Sequence, residues 1–177
     1  MKSIGDYRYL TEGVTVAEYL SEDPPAVLMH HAAMESLGLV GGSPGDTRNR
    51  LALGDDPVRR VPGTVLRSEA YTVLPIVARG GGQDTRMTIG CGSSCDIFLD
   101  DATLSREHAW FERREADYFI FDHNSTTGTR VNGVILMPAT ECELAPGDAI
   151  TLGAVELTFL GPLEFYNFVK IFLKKRG

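Results

Sequence analysis

A chain of 177 residues carries 24 carboxylates against 17 lysines and arginines, so its formal net charge is −7, and 43% of it is hydrophobic. That suffices for the core of one domain with appendages, domains of about 100–150 residues being the common size, while an acidic surface argues against nucleic acid and anionic lipid as partners. The sequence has no apolar run of about 18 residues to span a bilayer and no apolar leader after Met1, and its three cysteines, Cys91, Cys95 and Cys142, are the sparse, odd set expected of reduced thiols in a cytoplasmic protein.

In chain order, Thr15 and Glu18 form a capping box ahead of a short helical turn at Val16–Leu20. Asp23-Pro24-Pro25 suits a second helix start, and Val27, Leu28, His31, Met34 and Leu37 then recur at helical spacing before Gly38. The N-terminal segment 1–40 is therefore expected to hold two short helices. A loop or linker rich in glycine and proline follows over 41–64.

From Val65 the period changes to two. Tyr71–Ala78, Met87–Gly90, Ile97–Leu99, His108–Arg113, Tyr118–Asp122, Thr129–Val131, Ile150–Leu152 and Val155–Leu160 are short strands separated by turn residues. That spacing predicts an all-β sandwich over 65–160. In its last strand Val155, Leu157 and Phe159 face one way, Glu156 and Thr158 the other. The chain closes with a helix in 161–177, with Pro162 and Glu164 at its start and basic residues at its end, as the helix dipole favours. Its apolar residues cover so much of the circumference that it must pack on the sandwich, on the N-terminal helices or on a partner.

Four clusters fall on the turns of the sandwich. They are Ile89-Gly90-Cys91-Gly92 leading to Asp96-Ile97, Leu104-Ser105-Arg106-Glu107-His108, Asn124-Ser125-Thr126-Thr127-Gly128-Thr129 with Asn132-Gly133, and Pro146-Gly147-Asp148 with Gly153. In this order and spacing they resemble the forkhead-associated (FHA) domain. The resemblance implies an FHA/SMAD-like sandwich of about eleven strands, with short N-terminal helices and a C-terminal helix as additions, whose loops meet a phosphothreonine-containing segment of another protein.

Carried over residue by residue, the resemblance makes Ser105 and Thr126 hydroxyl ligands of phosphate and Arg106 a contact to phosphate or peptide backbone. Gly90, His108, Asn132 and Gly133 would support the loops. Two positions depart from the family pattern: Cys91 stands where the family has arginine, and Thr127 where it has asparagine. A phosphate site needs guanidinium and hydroxyl donors, so these departures predict weak or phosphate-independent binding, with Arg106 and Arg130 as partial replacements for the missing charge.

Other readings of the same residues are weaker. Ser105, His108 and Asp122 are the residue types of a hydrolase triad, but no glycine-rich elbow surrounds Ser105. Cys91, Cys95, Cys142 and His123 do not have zinc-knuckle spacing. The sequence therefore predicts a non-catalytic, cytoplasmic adaptor with no cofactor and no metal, whose partner is another protein. Its rivals are a working phosphothreonine reader in Ser/Thr-kinase signalling and a structural subunit that forms a homo-oligomer through the terminal helices.

Overall fold

The computed structural model describes residues 2–31, 71–79 and 86–174. In chain order the described strands are β1 (Lys2–Ser3), β2 (Val27–His31), β3 (Tyr71–Pro75), β4 (Arg86–Gly90), β5 (Ile97–Phe98), β6 (Ala109–Arg114), β7 (Asp117–Asp122), β8 (Thr129–Val131), β9 (Val134–Ile135), β10 (Cys142–Leu144), β11 (Ala149–Leu152) and β12 (Val155–Leu160). They form a seven-stranded sheet in the order β1-β3-β2-β12-β11-β8-β9 and a five-stranded sheet in the order β10-β7-β6-β4-β5. Neighbouring strands run antiparallel except β4 and β5. The expected sandwich is present.

Between the sheets lie Leu28, Ile89, Phe111, Ile120, Ile150, Leu152, Leu157 and Phe159, all buried. Each such side chain is worth about 1.5–3 kcal/mol when removed from water. β12 shows the predicted alternation: Val155, Leu157 and Phe159 are buried and Glu156 is exposed.

A second apolar cluster covers the outside of the seven-stranded sheet. It is built by a 3-10 helix (Ile4–Thr11), α1 (Val16–Ser21) and α2 (Pro162–Lys174). Ile4, Leu10, Phe165, Val169 and Phe172 pack over Val27, Met29, Val73 and Leu160 of the sheet. Tyr7 meets Phe165 edge-on at 4.8 Å between ring centroids, and the Tyr166 hydroxyl donates to the Val14 carbonyl at 2.7 Å. The terminal helix is thus core for its own chain. The capping box of α1 forms as read: Glu18 N–H donates to Thr15 Oγ1 at 3.2 Å, and Thr15 N–H to the Glu18 carboxylate at 2.7 Å.

The second expected helix is instead a strand. Val27–His31 is β2, paired on one side with β3 and on the other with β12. Leu28 faces the inter-sheet core while Val27 and Met29 face the second cluster. A strand buried on both faces has no polar alternation, so its apolar run cannot be told from a helix by period alone. Asp23 caps nothing. It adopts φ +48° and holds the Arg113 guanidinium through two hydrogen bonds. Met34, Leu37 and the linker expected over 41–64 lie outside the described residues.

Candidate functional site

Three loops converge at one end of the sandwich. The β4–β5 loop grips the β5–β6 loop by its carbonyls. Cys91 N–H donates to Ser105 O at 3.1 Å and Gly92 N–H to Arg106 O at 2.9 Å. The Cys91 thiol reaches Leu104 O at 3.1 Å, and the Cys95 thiol Arg106 O at 3.0 Å. Gly90 is required by this approach, because a Cβ there would run into the backbone carbonyls of Ser105 and Arg106.

The grip presents Ser105 to the β7–β8 loop. Its hydroxyl accepts from Thr126 N–H at 3.0 Å and lies 3.4 Å from the Thr126 hydroxyl. Both side chains reach solvent, Ser105 half-buried and Thr126 exposed. Arg106 is exposed beside them, and its guanidinium has no hydrogen bond or ion pair among the described residues. These three residues form one polar rim with an uncommitted cation. Thr127 turns its hydroxyl away, donating to Thr103 O at 2.9 Å, just as Cys91 turns its thiol to Leu104 O.

Below the rim the loops are tied by buried polar groups. His108 is fully buried. Its Nδ1 accepts from Ser105 N–H at 3.1 Å, and Nε2, 3.2 Å from Gly128 O, is placed to donate to it. Burial pushes its pKa below 6.5, so the ring is the neutral tautomer that this pairing needs. Asp122 is 2% exposed. Burial pushes its carboxyl up, but hydrogen bonds from Ser125 and Thr129 outweigh that and leave it below the usual carboxylate range. Asn132 and Gly133, both at positive φ, form the β8–β9 turn. The Asn132 side chain bonds Asp148 at 2.9 Å and Ala149 N–H at 3.0 Å.

The hydrolase arrangement does not form. His108 bonds the backbone N–H of Ser105 rather than its hydroxyl, and its other nitrogen is taken by Gly128. Among the described residues no three His, Cys, Asp or Glu side chains gather as metal ligands. Arg130 lies on β8, beside Thr151 of β11 and Ile135 of β9, and has no hydrogen bond to Ser105 or Thr126. Asp122, Ser125 and Thr103 are further loop ties that the motifs alone do not single out. The Asp-x-x-Ser spacing of 122–125 is the signal that a short polar side chain closes a turn on its own backbone.

The FHA domain family model matches residues 87–153. The oxoglutarate dehydrogenase inhibitor of Corynebacterium glutamicum is 37% identical over 103 residues, a match that spans 54% of this chain and 70% of that protein. The chain belongs to the FHA-domain family. The glycogen accumulation regulator GarA of Mycobacterium tuberculosis is 35% identical over 101 residues, 52% of this chain and 60% of GarA. Among solved structures, the FhaA FHA domain complexed with the intracellular domain of Rv3910 is 28% identical, with 50% of this chain and 87% of that one covered at a TM-score of 0.43. The two curated relatives are named as an inhibitor and a regulator. The family match contains all three rim loops, whereas β1, β2, β3, β12 and the three helices lie outside it.

Proposed function

We propose that this FHA protein is a cytoplasmic regulator in Ser/Thr-kinase signalling that binds phosphothreonine segments of partner proteins at the Ser105–Arg106–Thr126 rim. The observation that carries the reading is the juxtaposition of two hydroxyls 3.4 Å apart with an unpaired guanidinium beside them. Such donors are what a dianionic phosphate requires. The relatives support it, and the target named in one of them makes oxoglutarate dehydrogenase an enzyme to assay for inhibition. With Cys91 in place of arginine, the site lacks one charge-assisted contact, worth about 1.5–3 kcal/mol, or about 10- to 150-fold in affinity.

The test is calorimetric titration with matched phosphorylated and unphosphorylated threonine peptides. The phosphorylated peptide alone should bind, Ser105→Ala should abolish it, and Cys91→Arg should strengthen it by about tenfold or more. Equal binding of both peptides would favour a second reading, phosphate-independent recognition. That reading is supported by Cys91 and Thr127, whose side chains are committed to backbone carbonyls instead of facing a ligand. Assembly through the terminal helices has less support, since the apolar face of α2 is taken up by its own sheet.

A further inference from the structure

Residues 123–140 contain no aspartate or glutamate, in a chain that has 24 of them. Within that stretch Val134, Ile135 and Met137 are 66%, 54% and 69% exposed. Single exposed apolar residues are ordinary, whereas a contiguous group marks an interaction surface. β9 is the edge of the seven-stranded sheet, and Pro138 bridges to Asp122 at the end of β7 in the other sheet. The apolar strip therefore crosses from one layer to the other.

Each end of the strip carries a guanidinium. Arg130 is the cross-strand partner of Ile135. At the other end Pro138 and Ala139 line a groove of about 420 Å³ together with Arg86, Trp110, Asp122, His123 and Asn124; the Asp122 carboxylate there is buried and already bonded by Ser125 and Thr129. The Arg86 guanidinium there lies 4.3 Å from the centroid of the Trp110 ring. Elsewhere in the sandwich Arg113 and Arg114 are paired with carboxylates, and Arg79 donates to the Ser93 carbonyl. Arg86 and Arg130 have no hydrogen bond or ion pair among the described residues. The carboxylates nearest Arg86 are already engaged, Glu112 across the strand by Arg114 and Trp110, and Asp122 by Ser125 and Thr129. In a protein of net charge −7, two arginines without an ion-pair partner among the described residues, at the ends of an apolar strip, call for carboxylates supplied from outside.

We propose that this face docks an acidic, aliphatic segment of a partner protein, its apolar side chains on Val134, Ile135 and Met137 and its carboxylates on Arg130 and Arg86. The surface is distinct from the phosphate rim: none of these five residues hydrogen-bonds to Ser105, Arg106 or Thr126. It is also adjacent to it, because Ile135 packs against Gly128, two residues from Thr126, so closely that a Cβ at Gly128 would meet the Ile135 side chain. One partner can engage both.

Trp110 is the sole tryptophan of the chain, so its fluorescence reports the groove directly. The full chain would be titrated with a short peptide alternating leucine and glutamate, with the same peptide carrying lysine for glutamate, and with a single-stranded oligonucleotide. Emission should shift with the acidic peptide alone, and the response should weaken as salt rises. Met137→Glu and Arg86→Glu, checked as folded by circular dichroism, should each reduce that affinity by about tenfold or more while leaving a phosphothreonine peptide's binding at the rim unchanged. The proposal is overturned if the acidic peptide gives no response, if the lysine peptide or the oligonucleotide responds as strongly, or if Met137→Glu leaves the acidic peptide's affinity intact. Failure of the phosphothreonine peptide alone would strike the rim assignment and not this one.

Discussion

The two outer faces of the sandwich solve the same problem in opposite ways. On the seven-stranded sheet Val27, Met29, Val73 and Leu160 are covered by the 3-10 helix, α1 and α2, making a second dry core. Among the described residues no helix covers the five-stranded sheet. Trp110 stacks on Phe121 at 4.9 Å, Arg86 lies over Trp110, and Arg114 lies over Phe119 at 4.4 Å. Flexible guanidiniums there do the covering that helices do opposite, while their charged ends stay in water. A face finished by helices is fixed, and a face finished by arginines can be displaced by a ligand. That contrast is why the open side, rather than the terminal helices, is where a partner is expected.

Variants at each location can break or sharpen the contrast. Phe165→Ala should have the largest effect, since it empties a fully buried site in the second core; a loss of about 3–5 kcal/mol is expected by chemical denaturation. A loss under about 1 kcal/mol would mean that α2 is ornamental. Gly90→Ala should follow, at about 1–3 kcal/mol from forced overpacking, with loss of phosphothreonine-peptide binding because the displaced backbone is that of Ser105 and Arg106. Preserved affinity would detach the β4–β5 grip from function.

Acidification should act next. His108 has a folded pKa below 6.5, so beneath that value the unfolded chain takes up more protons than the folded one. Its contribution is complete above 6.5 and is lost as the pH falls toward the depressed folded value. Asp122, also depressed, contributes above the ordinary carboxylate range and loses that as the pH falls through its folded value. Melting temperature should therefore decline in two stages on acidification. His108→Gln should melt lower at pH 8 yet show a flatter first stage, and an unchanged first-stage slope would contradict a neutral His108. Arg86→Ala should cost least, about 0.5–1 kcal/mol for an exposed cation–π contact, while shifting Trp110 emission.

The sandwich and its rim were legible because their signals are local. Turn residues at fixed intervals, a capping box at Thr15 and the Ser105 and Thr126 clusters all report on neighbours a few positions away. What escaped notice depends on distant chain. β2 reads as helix because both its faces are apolar, and only pairing with β3 and β12 makes it a strand. The 3-10 helix carries its period in Ile4, Tyr7 and Leu10, buried at intervals of three, a pattern too short to stand out in the sequence. Alternation along β8 puts Arg130 on the opposite side of the strand from Thr129 and Val131, which are buried.

The order of the seven-stranded sheet has a practical consequence. Residues 87–153, the part shared most visibly with other members of the family, supply β8, β9 and β11 but leave out β12, β2, β3 and β1, which complete that sheet. A fragment trimmed to the shared stretch would strip Leu28, Leu157 and Phe159 from the common interior and bare the backbone of β11 along its full length. Such an excised piece would be sticky rather than minimal, and any affinity measured with it would describe an opened sandwich.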